Sequence, residues 1–189
     1  KNAEKDIIQG NVRAIILIED SPRMYSILLP LIYREIVSLT KTLMKKTFSS
    51  TYKSMHLRGR IKVLLTPNFE TAEKFSNKYG DNIVGIISDV KFLNNGKRDS
   101  KAGAKFAKSI REKHPSMPIM LQSTDNSNRK LAEKLGTDFL HKESNTLLND
   151  LRNFMLINFG FGDFIFKDNQ GNELLKATNI EDLIEGIKT

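Results

Sequence analysis

Apolar residues along this chain follow two alternating rhythms. A β-branched run, Val12–Ile18, stops abruptly at two acids. From Pro22 the spacing changes to three and four residues, through Met24, Ile27, Leu28, Leu31, Ile32 and Ile36. That spacing predicts a helix, and it continues through Leu39, Leu43 and Met44, which makes the helix unusually long. Pro30 lies inside it, where a missing N–H and a ring clash predict a local kink. Gly59 marks a break. Lys62–Thr66 then reads as a short strand, Pro67-Asn68 as a turn and Glu70–Lys78 as a helix.

The alternation continues downstream. Ile83–Ser88 is continuously apolar, as a strand covered on both faces must be. The polar stretch Asn94–Lys101 reads as a loop and Gly103–Lys113 as a helix. Pro118–Gln122 is a strand, and Asn126–Leu135 a helix closed by Gly136. Thr137–His141 is a strand and Ser144–Ile157 a helix, with Ser144 as its N-cap. Five strand–helix units predict a parallel sheet with right-handed crossovers and helices on both faces. Residues 160–189 break the rhythm. Phe164-Ile165-Phe166, Asn169-Gln170-Gly171 and Leu174-Leu175 predict a hairpin. Asn179 then caps a short helix with Ile180, Leu183, Ile184 and Ile187 on one face. The expected division is a leader over 1–10, a main domain over 11–158, and an appendage or connection to a further domain over 159–189. The first residue is Lys1, not Met, which suggests a piece of a longer chain.

The polar residues that interrupt the apolar strands sit at their carboxyl ends: Glu19 and Asp20 after the first, Asp89 after the third, Ser123 after the fourth, Lys142 after the fifth. Parallel sheets gather ligands beyond those ends, so the five residues are expected on one rim. Three crowded carboxylates repel one another, and a divalent cation relieves that repulsion. An all-oxygen site that keeps several waters suits Mg²⁺. Asp89 could ligate the metal with one oxygen and attack phosphorus with the other. Phosphoryl transfer demands alignment and charge neutralisation more than covalent help. Lys142 would pair with one phosphoryl oxygen and Ser123 would donate to another.

Composition trims the alternatives. The 189 residues carry no cysteine, which excludes disulfides and thiolate metal sites and points to a reducing compartment, with the cytoplasm the expected location. No apolar run approaches the roughly 20 residues a bilayer requires. The net charge is +8, concentrated where Lys41, Lys45, Lys46, Lys53, Arg58, Arg60 and Lys62 meet no acid between Glu35 and Glu70. No nucleic-acid motif or aromatic interleaving accompanies these charges, so a solvated basic face is the preferred reading over a nucleic-acid partner. No Gly-x-Gly-x-x-Gly follows the first strand, which argues against a dinucleotide fold. His56, His114 and His141 share no metal-like spacing.

The segments ILIEDSPRM, GIISDV, PIMLQST and FLHKES resemble those of response regulator receiver domains over about residues 11–158. The resemblance implies an α/β, flavodoxin-like, doubly wound (βα)5 parallel sheet of strand order 2-1-3-4-5, here with a long first helix and a C-terminal hairpin–helix appendage. It implies Asp89 as phosphoacceptor, Glu19 and Asp20 as the acid pair, and the Lys91 backbone carbonyl as a further Mg²⁺ ligand. Ser123 becomes the switch hydroxyl, Lys142 the phosphate-pairing lysine, and Phe139 stands near the aromatic switch position. A histidine kinase or a small phosphodonor would supply the phosphoryl group, and the fragment itself would be regulatory rather than an enzyme. Departures include the long first helix, the insertion NNGKRDSKAG after Asp89, Leu93 and Glu143 where receivers often carry proline. More narrowly, EDSPRMYSILLPLIYREI, RGRIKVLLTPNFETAEKF, GIISDVKF, LAEKLGTDFLHKES and NFGFGDFIF resemble a receiver-like domain of phosphoenolpyruvate synthase/pyruvate phosphate dikinase-related proteins, which implies further domains in the same chain.

Two other classes compete. A phosphorylation-independent module would keep this shape and associate through the long helix as a homodimer. A haloacid-dehalogenase-type phosphatase also uses a strand-end aspartate, but it requires a second aspartate two residues later, where this chain has Lys91.

Overall fold

The computed structural model describes residues 4–46, 61–159, 164–167 and 173–177. Five parallel strands form the central sheet: β1 (Ala14–Ile18), β2 (Lys62–Thr66), β3 (Ile83–Asp89), and, after two short strands, β6 (Ile119–Ser123) and β7 (Asp138–His141). Their order is β2-β1-β3-β6-β7. Counting the parallel strands alone, this is the 2-1-3-4-5 doubly wound order expected from the sequence.

The residue alternation of β1 explains why both faces are covered. Ala14, Ile16 and Ile18 enter one core, with the helices α2 (Phe69–Tyr79), α3 (Ala102–Lys113) and α4 (Asn128–Lys134). Ile15 and Leu17 enter the other, with α1 (Pro22–Lys46) and α5 (Leu147–Asn158). Successive strand residues point to opposite faces, so AIILI needs no polar position, and all five residues are buried. On β3, Gly85 belongs to the same logic: a Cβ there would overlap the Phe159 ring just beyond α5.

Helix α1 is a single 25-residue helix that contains Pro30. Gly136 closes α4 with a positive φ of 61°, the left-handed conformation glycine adopts without strain. A π-helical turn, Lys5–Gln9, buries Ile7 completely against the first core. The strands β8 (Phe164–Lys167) and β9 (Glu173–Ala177) pair antiparallel as the expected hairpin. The break at Gly59, most of the basic segment that follows α1, and the helix expected after Asn179 lie outside the described residues.

Two local expectations need correction. The stretch expected to be a loop is instead a small hairpin, β4 (Phe92–Asn94) and β5 (Lys97–Asp99). Asn95 and Gly96 join the strands with φ of 51° and 70°, and Asn-Gly is the sequence that a tight two-residue β-turn with two positive φ angles favours. Helix α5 has Thr146 rather than Ser144 at its N-cap position, with no side-chain capping bond; the Thr146 hydroxyl donates to Asp150 Oδ2 instead. Ser144 Oγ accepts from the Thr146 amide at 3.0 Å, a local side-chain turn that competes with helix entry.

Candidate functional site

Strand register brings the rim together. Ile18 pairs with both Thr66 and Ser88, so Glu19 emerges beside the end of β3. Asp89 pairs with Gln122, and Ser123 with His141. Beyond the ladders the bonding continues: the Glu19 amide donates to Thr66 O at 3.0 Å, the Val90 amide to Gln122 O at 3.0 Å, and the Lys142 amide to Ser123 O at 2.9 Å. Every polar residue that follows an apolar strand therefore surfaces at one level.

Glu19, Asp20 and Asp89 each offer a carboxylate oxygen within 4.8 Å of the others, the one such ligand group among the described residues. Lys142 Nζ bridges two of them, at 2.6 Å from Glu19 Oε2 and 2.7 Å from Asp89 Oδ2. Glu19 and Lys142 are both buried. Burial pushes the Glu19 carboxyl up from its ordinary value, against the hydrogen bond and charge of Lys142, which pull it down. Gln122 also donates from Nε2 to Glu19 Oε2 at 3.1 Å, and the Ser21 amide donates to Glu19 Oε1 at 3.1 Å. Glu19 is thus clamped from three directions and cannot turn away from the rim.

Ser123 lines the same cavity as Glu19, Asp89, Lys91 and Lys142, about 410 Å³ in volume. Its Oγ accepts from the Asp125 amide and from Asn128 Nδ2, each at 3.0 Å. A serine hydroxyl has one proton and two lone pairs. Both bonds use it as acceptor, and no acceptor among the described residues takes its own proton, which can therefore serve a ligand in the cavity. The Lys91 amide approaches Asp89 Oδ1 at 3.4 Å. At the start of α3, Gly103 lies so close to the Asp89 carbonyl that a Cβ would collide with it.

Phe139 is set apart from this group. It is half-buried on β7, packed against the first core, with the Arg129 guanidinium 4.9 Å above its ring. His141 and Glu143 line a separate shallow depression.

Sequence reasoning missed three participants: Gln122, Asn128 and Arg98. The last, on β5, reaches Asp20 Oδ1 with Nη2 at 3.0 Å. Asp20 in turn raises the affinity of that guanidinium for its proton. Gln122 could have been noticed as a polar residue one position before the end of the apolar strand β6. Arg98 gives no local signal, because its partner is 78 positions away.

A hard divalent cation fits this donor set. Three carboxylates face two side-chain cations, all the nearby acidic ligands are oxygens, and the cavity leaves room for waters.

No family model and no curated protein matches the chain. Solved structures do. A response regulator receiver domain from Clostridium thermocellum is similar at a TM-score of 0.52 and 16% identity, over 76% of this chain and 94% of that one. A protein described as a response regulator from Chloroflexus aurantiacus gives 0.49 and 17%, over 76% and 98%. The receiver domain of the histidine kinase CKI1 from Arabidopsis thaliana, complexed with Mg²⁺ and BeF₃⁻, gives 0.44 and 14%, over 80% and 94%. At these identities the first likeness shows the fold alone, and the other two add no weight to it.

Proposed function

We propose that this chain is a phosphoryl-accepting regulatory domain, phosphorylated on Asp89 with the help of Mg²⁺. The observation that carries the reading is the Asp89 carboxylate itself. It stands at the end of β3, 2.7 Å from a buried ammonium and within 4.8 Å of two further carboxylates. An isolated acid at a strand end has no need of that company.

In this reading Asp89 attacks the phosphorus of the donor with a carboxylate oxygen. A P–O bond forms, the bond from phosphorus to the donor's leaving group breaks, and the leaving group departs with the electron pair. No base is required, because an aspartate is ionised at neutral pH. Mg²⁺, when bound, would supply positive charge to an equatorial phosphoryl oxygen; Glu19, Asp20, Asp89 and the Lys91 carbonyl are the residues proposed to hold it. Lys142 exchanges its bond to Asp89 Oδ2 for one to a phosphoryl oxygen. Ser123 donates its free proton to another, and this movement would bias the surface around α4 between two arrangements. The donor would be a histidine kinase or a small acyl phosphate. The segment resemblances above support a place beside a phosphoenolpyruvate synthase-like catalytic unit in one cytoplasmic chain.

The test is incubation with Mg²⁺ and acetyl phosphate, read by intact mass. The expected result is one added phosphoryl group that is absent without Mg²⁺ and absent in Asp89→Asn. An adduct that persists in Asp89→Asn would refute the assignment.

A second reading has one observation in its favour. Tyr33 and Val37 lie one turn apart on α1 and are 45% and 51% exposed, a face suited to association of two copies. Here the domain would act without phosphate. Sedimentation that shows a dimer unchanged by Asp89→Asn and lost in Val37→Glu would support this reading over the first.

A further inference from the structure

The inserted hairpin β4–β5 is held too firmly to be a casual loop. Phe92 is completely buried. Leu93 bridges Asn68, and the Asn95 amide donates to Glu70 Oε1 at the head of α2. On the other strand Asp99 takes Lys105 Nζ at 2.6 Å and Asn94 Nδ2 at 3.1 Å. These ties fix the hairpin to α2 and α3, and they set Arg98 above the rim. Its guanidinium stands 3.0 Å from Asp20 Oδ1, with the Arg98 side chain 56% exposed and that of Asp20 7% exposed.

We propose that Arg98 is a built-in competitor of the divalent cation for Asp20, so that the inserted hairpin sets the metal affinity of the site. The inference rests on the metal-assisted reading above. A guanidinium and a hard cation seek the same carboxylate, and both cannot neutralise it fully. Even if each took one oxygen, a unit charge would remain close to a divalent ion. In surroundings as wet as those of Arg98, that repulsion weakens binding by about five- to tenfold. Arg98 has a compensating use: with Lys142, it tempers the mutual repulsion of three crowded carboxylates. Occupation of the site by a cation would release Arg98 from Asp20, which couples metal binding to the hairpin's inner edge.

The experiment is Mg²⁺ titration of the full chain by calorimetry, with Mn²⁺ electron paramagnetic resonance as a second readout. Wild type, Arg98→Ala, Arg98→Lys and Lys97→Ala are compared at low ionic strength. Lys97 is an exposed neighbour on the same strand and controls for loss of one surface charge. Arg98→Ala should bind Mg²⁺ about five- to tenfold more tightly. Arg98→Lys should stay near wild type, Lys97→Ala should change little, and the gain should shrink as salt screens the charge. If wild type binds Mg²⁺ and Arg98→Ala binds equally or more weakly, the competition is refuted and the metal-assisted reading stands. If neither protein binds Mg²⁺, both fall together.

Discussion

Lys142 offers the sharpest test of the site's energetics. Its ammonium is buried between Glu19 Oε2 and Asp89 Oδ2, at 2.6 and 2.7 Å. Lys142→Met keeps the length of the side chain and removes the charge. Two carboxylates, one of them wholly buried, then lose their shared cation while Asp20 remains close by. Removing one partner of a buried ion pair costs about 3–5 kcal/mol. Here the lower end applies, because Gln122 Nε2 and the Ser21 amide still bond Glu19. The expected loss in urea unfolding with chelator present is therefore about 3 kcal/mol at pH 7. Its pH dependence follows from Glu19. Burial already raises this carboxyl above its unfolded value in the wild type, and without the ammonium it should rise further. A raised acid is favoured in the folded state when protonated, so its destabilising effect is felt above the folded pKa and fades as pH falls through it. The deficit of Lys142→Met should thus narrow as pH is lowered from 7 toward 5. Mg²⁺ should also narrow it, by supplying the missing positive charge. A variant as stable as wild type at pH 7 with chelator, or a deficit that widens on acidification, would refute the electrostatic account.

Three further outcomes are expected. Gly103→Ala places a methyl against the Asp89 carbonyl and should cost about 1–3 kcal/mol in thermal or urea unfolding, with slower phosphoryl uptake at Asp89; an unchanged transition would mean that α3 yields freely. The Asp99 carboxyl is held down at about 2, first by Lys105 and then by the Lys101 amide and Asn94. Its stabilising bonds are complete above the ordinary aspartate range and are lost as pH falls from about 4 to 2, so the protection of the β4–β5 amides, taken relative to their intrinsic exchange rates, should fall over that interval and already be low in Asp99→Asn at pH 7. Glu35 is buried on α1 with Oε2 lacking a hydrogen-bond partner among the described residues, and Arg34 and Arg152 stand 3.5 and 3.7 Å from its carboxylate oxygens. Glu35→Leu should leave stability unchanged or raise it by about 1 kcal/mol in urea unfolding, and a large loss would show the ion pairs to be net favourable.

The sheet was legible because its strands are buried on both faces. AIILI and IVGIIS admit no charged residue until the chain leaves the core, so the first acids mark the strand ends as well as the chemistry. The 25-residue helix α1 was legible from its three-to-four spacing despite Pro30. The hairpin after Asp89 was misread through its charge: NNGKRDS looks solvated, yet Asn95-Gly96 carries a turn signal and Phe92 supplies the anchor. Helix α5 begins after Thr146 rather than after Ser144 because the Ser144 hydroxyl is engaged in a local turn with the Thr146 amide, which spacing alone does not reveal. Arg98 was invisible for another reason. Its partner, Asp20, is 78 positions away along the chain, and only the strand order and the hairpin's anchorage bring the two near. The described residues include no helix long and apolar enough to cross a membrane, in line with the interrupted apolar runs.

The position of the phosphoryl group can be read directly by chemistry. Borohydride reduces an acyl phosphate to the alcohol, so a phosphorylated aspartate becomes homoserine and can be located by peptide sequencing. After treatment with acetyl phosphate and Mg²⁺, homoserine should appear at position 89 and at no other acid. Homoserine at Asp20, the one-carbon-longer alcohol 2-amino-5-hydroxypentanoic acid at Glu19, or no reduced residue anywhere in a chain shown to be folded, would contradict Asp89 as the acceptor.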